Sequence, residues 1–124
     1  MAHVAVMGTG SWGTAFGMIL ADSGCDVTMW GRRQEIADDL NHNHRNSTYL
    51  PGLDLPTNMR GTVDAQEALS TADAVVLAVP SQTLRANLEA WRPYLPAGVP
   101  LVSLMKGVEL GTTMRMSQVI AEVA

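Results

Sequence analysis

A glycine-rich turn between a strand-like run and a helix-like segment limits the fold of this chain more than any other feature. This glycine turn reads Gly8-Thr9-Gly10-Ser11-Trp12-Gly13 and follows the short apolar run at residues 3–7. Residues 11–23 then repeat apolar side chains at helical spacing, which predicts one apolar helix face: Trp12, Ala15, Phe16, Ile19 and Leu20. A G-x-G-x-x-G pattern in this setting is typical of a βαβ unit that binds a dinucleotide. An ordinary strand–helix turn is the alternative.

Strand-like and helix-like segments alternate along the rest of the chain. The pattern predicts strands at 26–30, 61–63, 74–79 and 101–104, and helices at 34–42, 65–70, 84–91 and 112–124. Residues 41–60 are rich in Pro, Asn and Asp, which favours a loop with at most short strands. This alternation predicts an α/β fold, Rossmann-like and doubly wound, with a mainly parallel sheet and helices on both faces.

Each glycine of the turn has a predicted physical role. Gly8 allows the tight turn after the strand, and Gly10 lets a pyrophosphate approach the backbone because it has no Cβ. Gly13 allows the helix to pack close to the strand. The phosphates would then meet free N–H groups at the positive end of the helix.

Two arginines follow the second predicted strand. Sites specific for NAD carry an acidic residue about 20 residues after the glycines, but the strand ends here in Trp30-Gly31-Arg32-Arg33. A guanidinium group suits a 2′-phosphate, and a cation at a helix start is otherwise disfavoured by the helix dipole. We therefore predict NADP(H) as a cofactor, alongside NAD(H). A solvated helix start is the alternative for both arginines.

Two further candidates follow later strands. Ligands of open α/β sheets bind outside the carboxyl ends of the strands. Pro80 follows the strand at 74–79, and Lys106 follows the strand at 101–104. A lysine there suits a phosphate or a polarised carbonyl. A strand-ending proline and a surface lysine are the alternatives.

Composition excludes several classes of protein. A net charge of −4 with eight Lys and Arg residues argues against a nucleic-acid-binding surface. No run approaches the roughly 18 apolar residues that span a bilayer, and the first residues lack a signal-peptide pattern. The single cysteine, Cys25, excludes an internal disulfide framework, and His42 and His44 are poorly spaced for zinc. We expect a cytoplasmic protein with no metal, no nucleic-acid partner and no membrane span.

Five short segments together resemble the N-terminal part of the bacterial-type NAD(P)-dependent glycerol-3-phosphate dehydrogenases. They are residues 8–15, Trp30-Gly31-Arg32-Arg33, Asn46 with Tyr49-Leu50-Pro51-Gly52, Ala78-Val79-Pro80-Ser81-Gln82, and Lys106-Gly107-Val108-Glu109. The tryptophan in the glycine turn and the Lys-Gly-Val-Glu segment are the most specific of these features. The resemblance covers essentially the whole chain.

The resemblance implies reduction of dihydroxyacetone phosphate to sn-glycerol 3-phosphate, the backbone of phospholipids. It implies that Ser11 and Trp12 belong to the dinucleotide loop. It also implies that Arg32 and Arg33 take the adenosine ribose end and that Tyr49 approaches the cofactor. Simple packing is the alternative role for Tyr49.

Residues 1–124 are then expected to form one NAD(P)-binding domain, truncated relative to the family. The resemblance implies a mostly helical C-terminal substrate domain, absent here, that supplies the general acid/base lysine. Lys106 would contact both the nicotinamide side and the substrate. We therefore expect no catalytic residue in this chain and no activity of the chain alone. The full-length protein is a candidate homodimer.

Two other functions remain open from the sequence. One is a different two-domain NAD(P)-dependent dehydrogenase that acts on a hydroxy acid or on ketopantoate. The other is a dinucleotide-binding module without catalysis. A substrate panel separates the first from glycerol-3-phosphate dehydrogenase, and nucleotide-binding measurements separate binding from chemistry.

Overall fold

Five short strands form a parallel sheet in the part of the chain that the structure, a computed structural model, describes: residues 2–79, 83–96 and 98–103. The strands are β1 (His3–Met7), β2 (Asp26–Trp30), β3 (Met59–Thr62), β4 (Ala74–Leu77) and β5 (Leu101–Ser103). Their order across the sheet is β3-β2-β1-β4-β5, and every neighbouring pair is parallel. The predicted α/β class and parallel sheet are confirmed.

Helices connect these strands. Among the described residues they are α1 (Ser11–Asp22), α2 (Gln34–Asn43), α3 (Ala65–Leu69) and α4 (Leu84–Trp91), and a 3₁₀ turn at Arg92–Tyr94 follows α4. Gly24 follows the C-cap of α1 and has a φ of 100°, a backbone conformation that residues with a Cβ rarely adopt. Within that part of the chain, no helix is long and apolar enough to cross a membrane.

Helices cover both faces of the sheet, as the doubly wound prediction requires. Along β1, Val4 and Val6 belong to one buried cluster, and Ala5 and Met7 belong to the other. The first cluster includes Val27, Met29, Ile36, Leu40 and Met59. The second includes Val75, Leu77, Leu84, Leu88 and Trp91. Strands buried on both faces are apolar at successive positions rather than at alternate ones, which is why the runs in β1 and β4 are so clear in the sequence.

The predicted apolar face of α1 is confirmed only in part. Phe16 and Leu20 pack partly buried against the core, but Trp12 and Ile19 are exposed. The buried residues of the helix are small: Gly13, Thr14, Gly17 and Ala21. A Cβ on Gly17 would lie 2.8 Å from the sulfur of Met29. The helix therefore packs too close to the sheet for large side chains, which are displaced to the flanks or into solvent.

Two predicted strands have different bounds in the structure. The strand predicted at 61–63 lies at Met59–Thr62 because its residues pair with β2, Met59 opposite Val27. The strand predicted at 74–79 ends at Leu77, which pairs with Met7, the last residue of β1. In both cases the neighbouring strand sets the end, which the apolar pattern alone does not reveal.

The remaining differences are small. Helix α1 ends one residue early because Ser23 is its C-cap, α2 continues one residue further to Asn43, and α3 ends at Leu69. The predicted loop is present, apart from the end of α2 and the start of β3, and contains one isolated bridge between Asn46 and Leu50. Residue 104 of the last predicted strand and the predicted helix at 112–124 lie outside the described residues.

Candidate functional site

A crevice of about 570 Å³ opens at the carboxyl ends of β1 and β4. These two strands are neighbours, yet the chain leaves β1 towards β2 on one side and returns to β4 on the other. Such a topological switch point is where open α/β sheets bind ligands. The crevice is lined by the glycine turn, by residues 30–33 and by Ile36, Tyr49, Ala78, Val79, Thr83 and Asn87.

The glycine turn forms the floor of the crevice. Gly8 has a φ of 134°, and a Cβ there would lie 2.3 Å from the carbonyl oxygen of Ala78. A Cβ on Gly13 would lie 2.5 Å from the carbonyl oxygen of Gly8. At Gly10, by contrast, a Cβ would meet no atom within 4 Å. Gly8 and Gly13 are therefore required for close packing of the protein itself, whereas Gly10 leaves space open.

Helix α1 begins without a side-chain cap. Its N-cap residue is Gly10, which adopts an extended backbone, and the first turn contains no acidic residue. The first N–H groups of an α-helix have no partner inside the helix and carry its positive dipole end. Ser11 and Trp12 stand in this first turn, and Trp12 is 83% exposed at the rim of the crevice. The arrangement presents unsatisfied donors to an anion.

The two arginines line the crevice but have different partners. Arg33 donates from Nε to Glu35 at 2.6 Å, and both side chains are exposed. Arg32 donates to Oδ1 of Asn87 at 3.4 Å. Arg33 is the N-cap residue of α2. Its ion pair with Glu35 explains the presence of a cation at this helix start without a ligand. Of the two arginines in the crevice, Arg32 is the one without a carboxylate partner among the described residues.

The charge of Arg33 is reinforced by its neighbours. Its pKa is raised above the ordinary value, first by the hydrogen bond to Glu35 and by the charge of that carboxylate, and to a smaller extent by the nearby Tyr49. The pKa of Glu35 is lowered, first by a hydrogen bond from its own backbone N–H and then by Arg33. Tyr49 is 42% exposed and lines the crevice, so the structure brings it together with the glycine turn and the arginines.

Several crevice residues were not predicted from the sequence. Asn87 is a buried polar residue on the apolar face of α4, three residues after Leu84 and four before Trp91. It donates to Thr83 and accepts from Arg32. The sequence signal that could have identified Asn87 is a polar residue on an otherwise apolar helix face.

Gly31 was also missed as a packing residue. A Cβ there would lie 2.5 Å from Oγ1 of Thr9, so the end of β2 and the glycine turn touch. The neighbouring Trp30 donates from its indole nitrogen to the carbonyl oxygen of Val63 at 3.1 Å and meets Trp91 edge-on, with ring centroids 5.1 Å apart. These contacts hold the wall of the crevice in place.

Two predicted site residues, Pro80 and Lys106, lie outside the described residues. Ala78 and Val79, which precede Pro80, line the crevice. No group of three His, Cys, Asp or Glu side chains within the described ranges is placed to hold a metal ion.

A parallel sheet in this strand order, with a glycine turn leading into an uncapped helix at the switch point, defines a Rossmann-type dinucleotide-binding domain. The model of the family described as NAD-dependent glycerol-3-phosphate dehydrogenase N-terminus matches residues 3–124. The chain belongs to this family.

Individual relatives agree with this assignment. The chain is 64% identical over 120 residues to a glycerol-3-phosphate dehydrogenase [NAD(P)+] of Streptomyces coelicolor, covering 97% of this chain and 36% of the relative. It is 59% identical to a second such enzyme, from Mycobacterium tuberculosis, with the same coverage. Among solved structures, the glycerol-3-phosphate dehydrogenase of Coxiella burnetii superposes with a TM-score of 0.90 at 25% identity, covering 98% of this chain and 37% of that one. The chain thus spans little more than a third of the length of these proteins.

Proposed function

We propose that this chain binds NADP(H), and also NAD(H), as the nucleotide-binding part of a glycerol-3-phosphate dehydrogenase. The reaction would be the reduction of dihydroxyacetone phosphate to sn-glycerol 3-phosphate. One observation carries the proposal: the uncapped start of α1 at Gly10 opens onto free space in the crevice at the switch point. Membership of the family supports the choice of reaction.

The residues present fit a dinucleotide. The volume of about 570 Å³ lies within the usual range for small-molecule sites. Gly10 leaves room for a pyrophosphate, and the amides of the first turn of α1 supply donors and a positive dipole end. We assign Gly8, Gly10, Ser11, Trp12 and Gly13 to this phosphate-binding end.

The part of the crevice that follows β2 suits the adenosine ribose. Arg32, Arg33 and Tyr49 all line the crevice. The acidic residue in the first turn of α2 is Glu35, and its carboxylate pairs with Arg33. A 2′-phosphate carries nearly two negative charges, so a guanidinium is its natural partner. We assign Arg32 to the 2′-phosphate, with Arg33 and Tyr49 at the edge of the same subsite.

The nicotinamide ring would supply the hydride that reduces the ketone. The role of this chain in the reaction is to bind and orient the nucleotide and to exclude water from the floor of the crevice. We propose that Pro80 lines the cofactor and that Lys106 contacts the nicotinamide side and the substrate. The general acid/base lysine is proposed to lie outside this chain, so that the chain alone is inactive.

The proposal extends to the cellular role. The product is a phospholipid precursor, and we place the full-length enzyme in the cytoplasm as a homodimer.

Titration calorimetry with NADPH and NADH tests the cofactor assignment. We expect both nucleotides to bind the 124-residue chain with dissociation constants below millimolar, and NADPH to bind more tightly. If neither nucleotide binds in this range, the chain is not a dinucleotide-binding domain and the proposal fails.

A substrate panel tests the reaction. The full-length protein that carries this chain should oxidise NADPH faster with dihydroxyacetone phosphate than with ketopantoate or a 2-oxo acid. A faster reaction with either competitor would assign the chain to a different dehydrogenase. If NADPH binds but none of the three substrates supports its oxidation, the protein is a dinucleotide-binding module without catalysis.

A further inference from the structure

Asn46 is a buried polar residue that joins the loop after α2 to the glycine turn. Its side chain is 1% exposed. Nδ2 donates to the carbonyl oxygen of Thr9 at 2.8 Å and to Oγ1 of Thr14 at 2.9 Å. The Thr14 hydroxyl donates to the same Thr9 oxygen at 3.2 Å. We call Asn46, Thr9 and Thr14 the Asn46 network.

The network controls the direction of a peptide group in the glycine turn. The Thr9 carbonyl and the Gly10 N–H belong to one planar trans peptide unit, so they point in opposite directions. Two donors hold the Thr9 oxygen on the buried side. The Gly10 N–H consequently points away from the Asn46 network. Gly10 is also the residue of the turn at which a Cβ would meet no protein atom within 4 Å.

The other end of the Asn46 side chain holds the segment that carries Tyr49. Oδ1 of Asn46 accepts a hydrogen bond from the backbone N–H of Tyr49 at 3.3 Å. The backbone carbonyl of Asn46 accepts from the N–H of Leu50 at 2.8 Å, which closes the turn. The side chain of Tyr49 lines the crevice together with Arg32 and Arg33. One side chain thus connects the phosphate-binding end to the arginine end.

We propose that Asn46 is a positioning residue for the dinucleotide, which rests on the proposed function. It does not line the crevice itself. It acts by holding the Thr9–Gly10 peptide and the Tyr49 turn in the arrangement that the ligand meets. Preorganisation of this kind increases affinity because the ordering is complete before the ligand arrives.

The test compares Asn46→Ala with a matched control, Asn58→Ala. Asn58 is also a loop asparagine whose Nδ2 donates to two backbone carbonyls, those of Ala21 at 2.9 Å and Cys25 at 2.8 Å. It directly precedes β3 and so lies at the amino end of a parallel strand, whereas the crevice lies at the carboxyl ends of the strands. Both variants are measured in the 124-residue chain, by calorimetry with NADPH and by thermal unfolding, and affinity is measured at a temperature where each variant is folded.

We expect Asn46→Ala to weaken NADPH binding about ten-fold or more, the effect of losing one well-formed hydrogen-bonded arrangement. Asn58→Ala should lower the unfolding temperature by a similar amount but change the affinity less than two- to three-fold. Equal changes in affinity for the two variants, or none for Asn46→Ala, would reduce Asn46 to a stabilising residue and overturn the inference. Failure of the unsubstituted chain to bind NADPH overturns the proposed function itself, and this inference with it.

A second pair of variants decides the question if Asn46→Ala does not fold. Thr14→Val keeps the shape of a buried side chain but removes the hydroxyl that bonds both Asn46 and Thr9, whereas Thr14→Ser keeps the hydroxyl. We expect Thr14→Val to bind NADPH several-fold more weakly than Thr14→Ser. Equal affinities for the two would show that the Asn46 network does not position the ligand.

Discussion

Helices α1 and α3 both start in the connection after a strand of the same sheet, but their first turns are completed in different ways. At α3, the side chain of Asp64 accepts hydrogen bonds from the backbone N–H groups of Gln66 at 3.0 Å and Glu67 at 3.5 Å. At α1, the corresponding residue is Gly10, which has no side chain to offer, and no acidic residue follows in the first turn.

The difference separates a structural helix start from one that faces a ligand. The positive end of α3 is satisfied within the chain and serves only the fold. The positive end of α1 is left open at the switch point of the sheet, in the crevice that Arg32 also lines, where we propose that an anion supplies the missing acceptors. The absence of a good N-cap residue is therefore informative when the surrounding turn is tightly packed.

The largest expected effect comes from Gly8, because the open start of α1 depends on the turn before it. We expect Gly8→Ala to destabilise the chain by about 3 kcal/mol or more, since it combines backbone strain with a clash against the Ala78 carbonyl. Urea unfolding measures the loss. Gly24→Ala is the control, because Gly24 also has a positive φ but has open space around it, so its cost should be nearer 1 kcal/mol. If Gly8→Ala and Gly24→Ala lose equal unfolding free energy, the clash between the added Cβ and the Ala78 carbonyl is relieved by local movement.

The next effect concerns Arg32 and the nature of the anion. Arg32→Ala should weaken NADPH binding by about 1–3 kcal/mol, with a much smaller change for NADH, because a charge-assisted hydrogen bond to the 2′-phosphate is lost. Calorimetry with both nucleotides measures the difference. Arg33→Ala is the matched comparison and should cost less, since Arg33 already pairs with Glu35. Equal weakening of NADPH and NADH by Arg32→Ala would remove the 2′-phosphate role.

Gly10→Ala separates binding from folding at the open helix start. The added Cβ meets no protein atom within 4 Å, and the backbone at Gly10 is extended, so the unfolding free energy should change by no more than about 0.5 kcal/mol. NADPH affinity should fall about ten-fold, because the methyl group occupies the space left for the pyrophosphate. Unchanged affinity in a stable variant would place the pyrophosphate elsewhere.

Asp64 caps the start of α3, so its substitution should change stability and leave nucleotide binding unchanged. Asp64→Ala should cost about 1 kcal/mol of stability through loss of the N-cap, with no change in NADPH affinity. Asp64→Asn, which keeps an acceptor oxygen, should restore most of the stability in the same urea titration. A loss of affinity in Asp64→Ala would contradict the division into a structural and a ligand-facing helix start.

The smallest effect is a pH dependence at the far end of α2. The pKa of Asp39 is lowered, first by the hydrogen bond from the Ser47 N–H and then by that from Asn43. Because the folded pKa lies below the unfolded value of about 3.9, this contribution is present above that pH and is lost as the pH falls through the folded pKa. Asp39→Asn should therefore be less stable than the unsubstituted chain at neutral pH, with the gap narrowing in acid. A gap that does not change with pH would exclude this contribution.

Much of the crevice floor could be predicted from local sequence. The apolar run of β1, the spacing of Gly8, Gly10 and Gly13, and the arginines after β2 all lie within a single βαβ unit, where short-range geometry links residue type to conformation. Gly8 and Gly10 sit in the same motif but fulfil opposite requirements, one for contact with Ala78 and one for open space.

The sides of the crevice could not be predicted in the same way. Asn46 bonds a carbonyl 37 residues away in sequence, and Arg32 reaches Asn87 across 55 residues. The start of β3 and the end of β4 were set by pairing with neighbouring strands, and the buried face of α1 was set by how closely that helix approaches Met29.

The sequence by itself determined that the chain alternates strands and helices and that a dinucleotide-type glycine turn follows β1. Only the tertiary structure decided which helix start stays open, which of the two crevice arginines pairs with a carboxylate, and which asparagine bonds the glycine turn. The physical reason is range. Periodicity and turn chemistry act over a few residues, whereas hydrogen-bond partners, packing distances and strand register depend on segments that meet only when the sheet has formed.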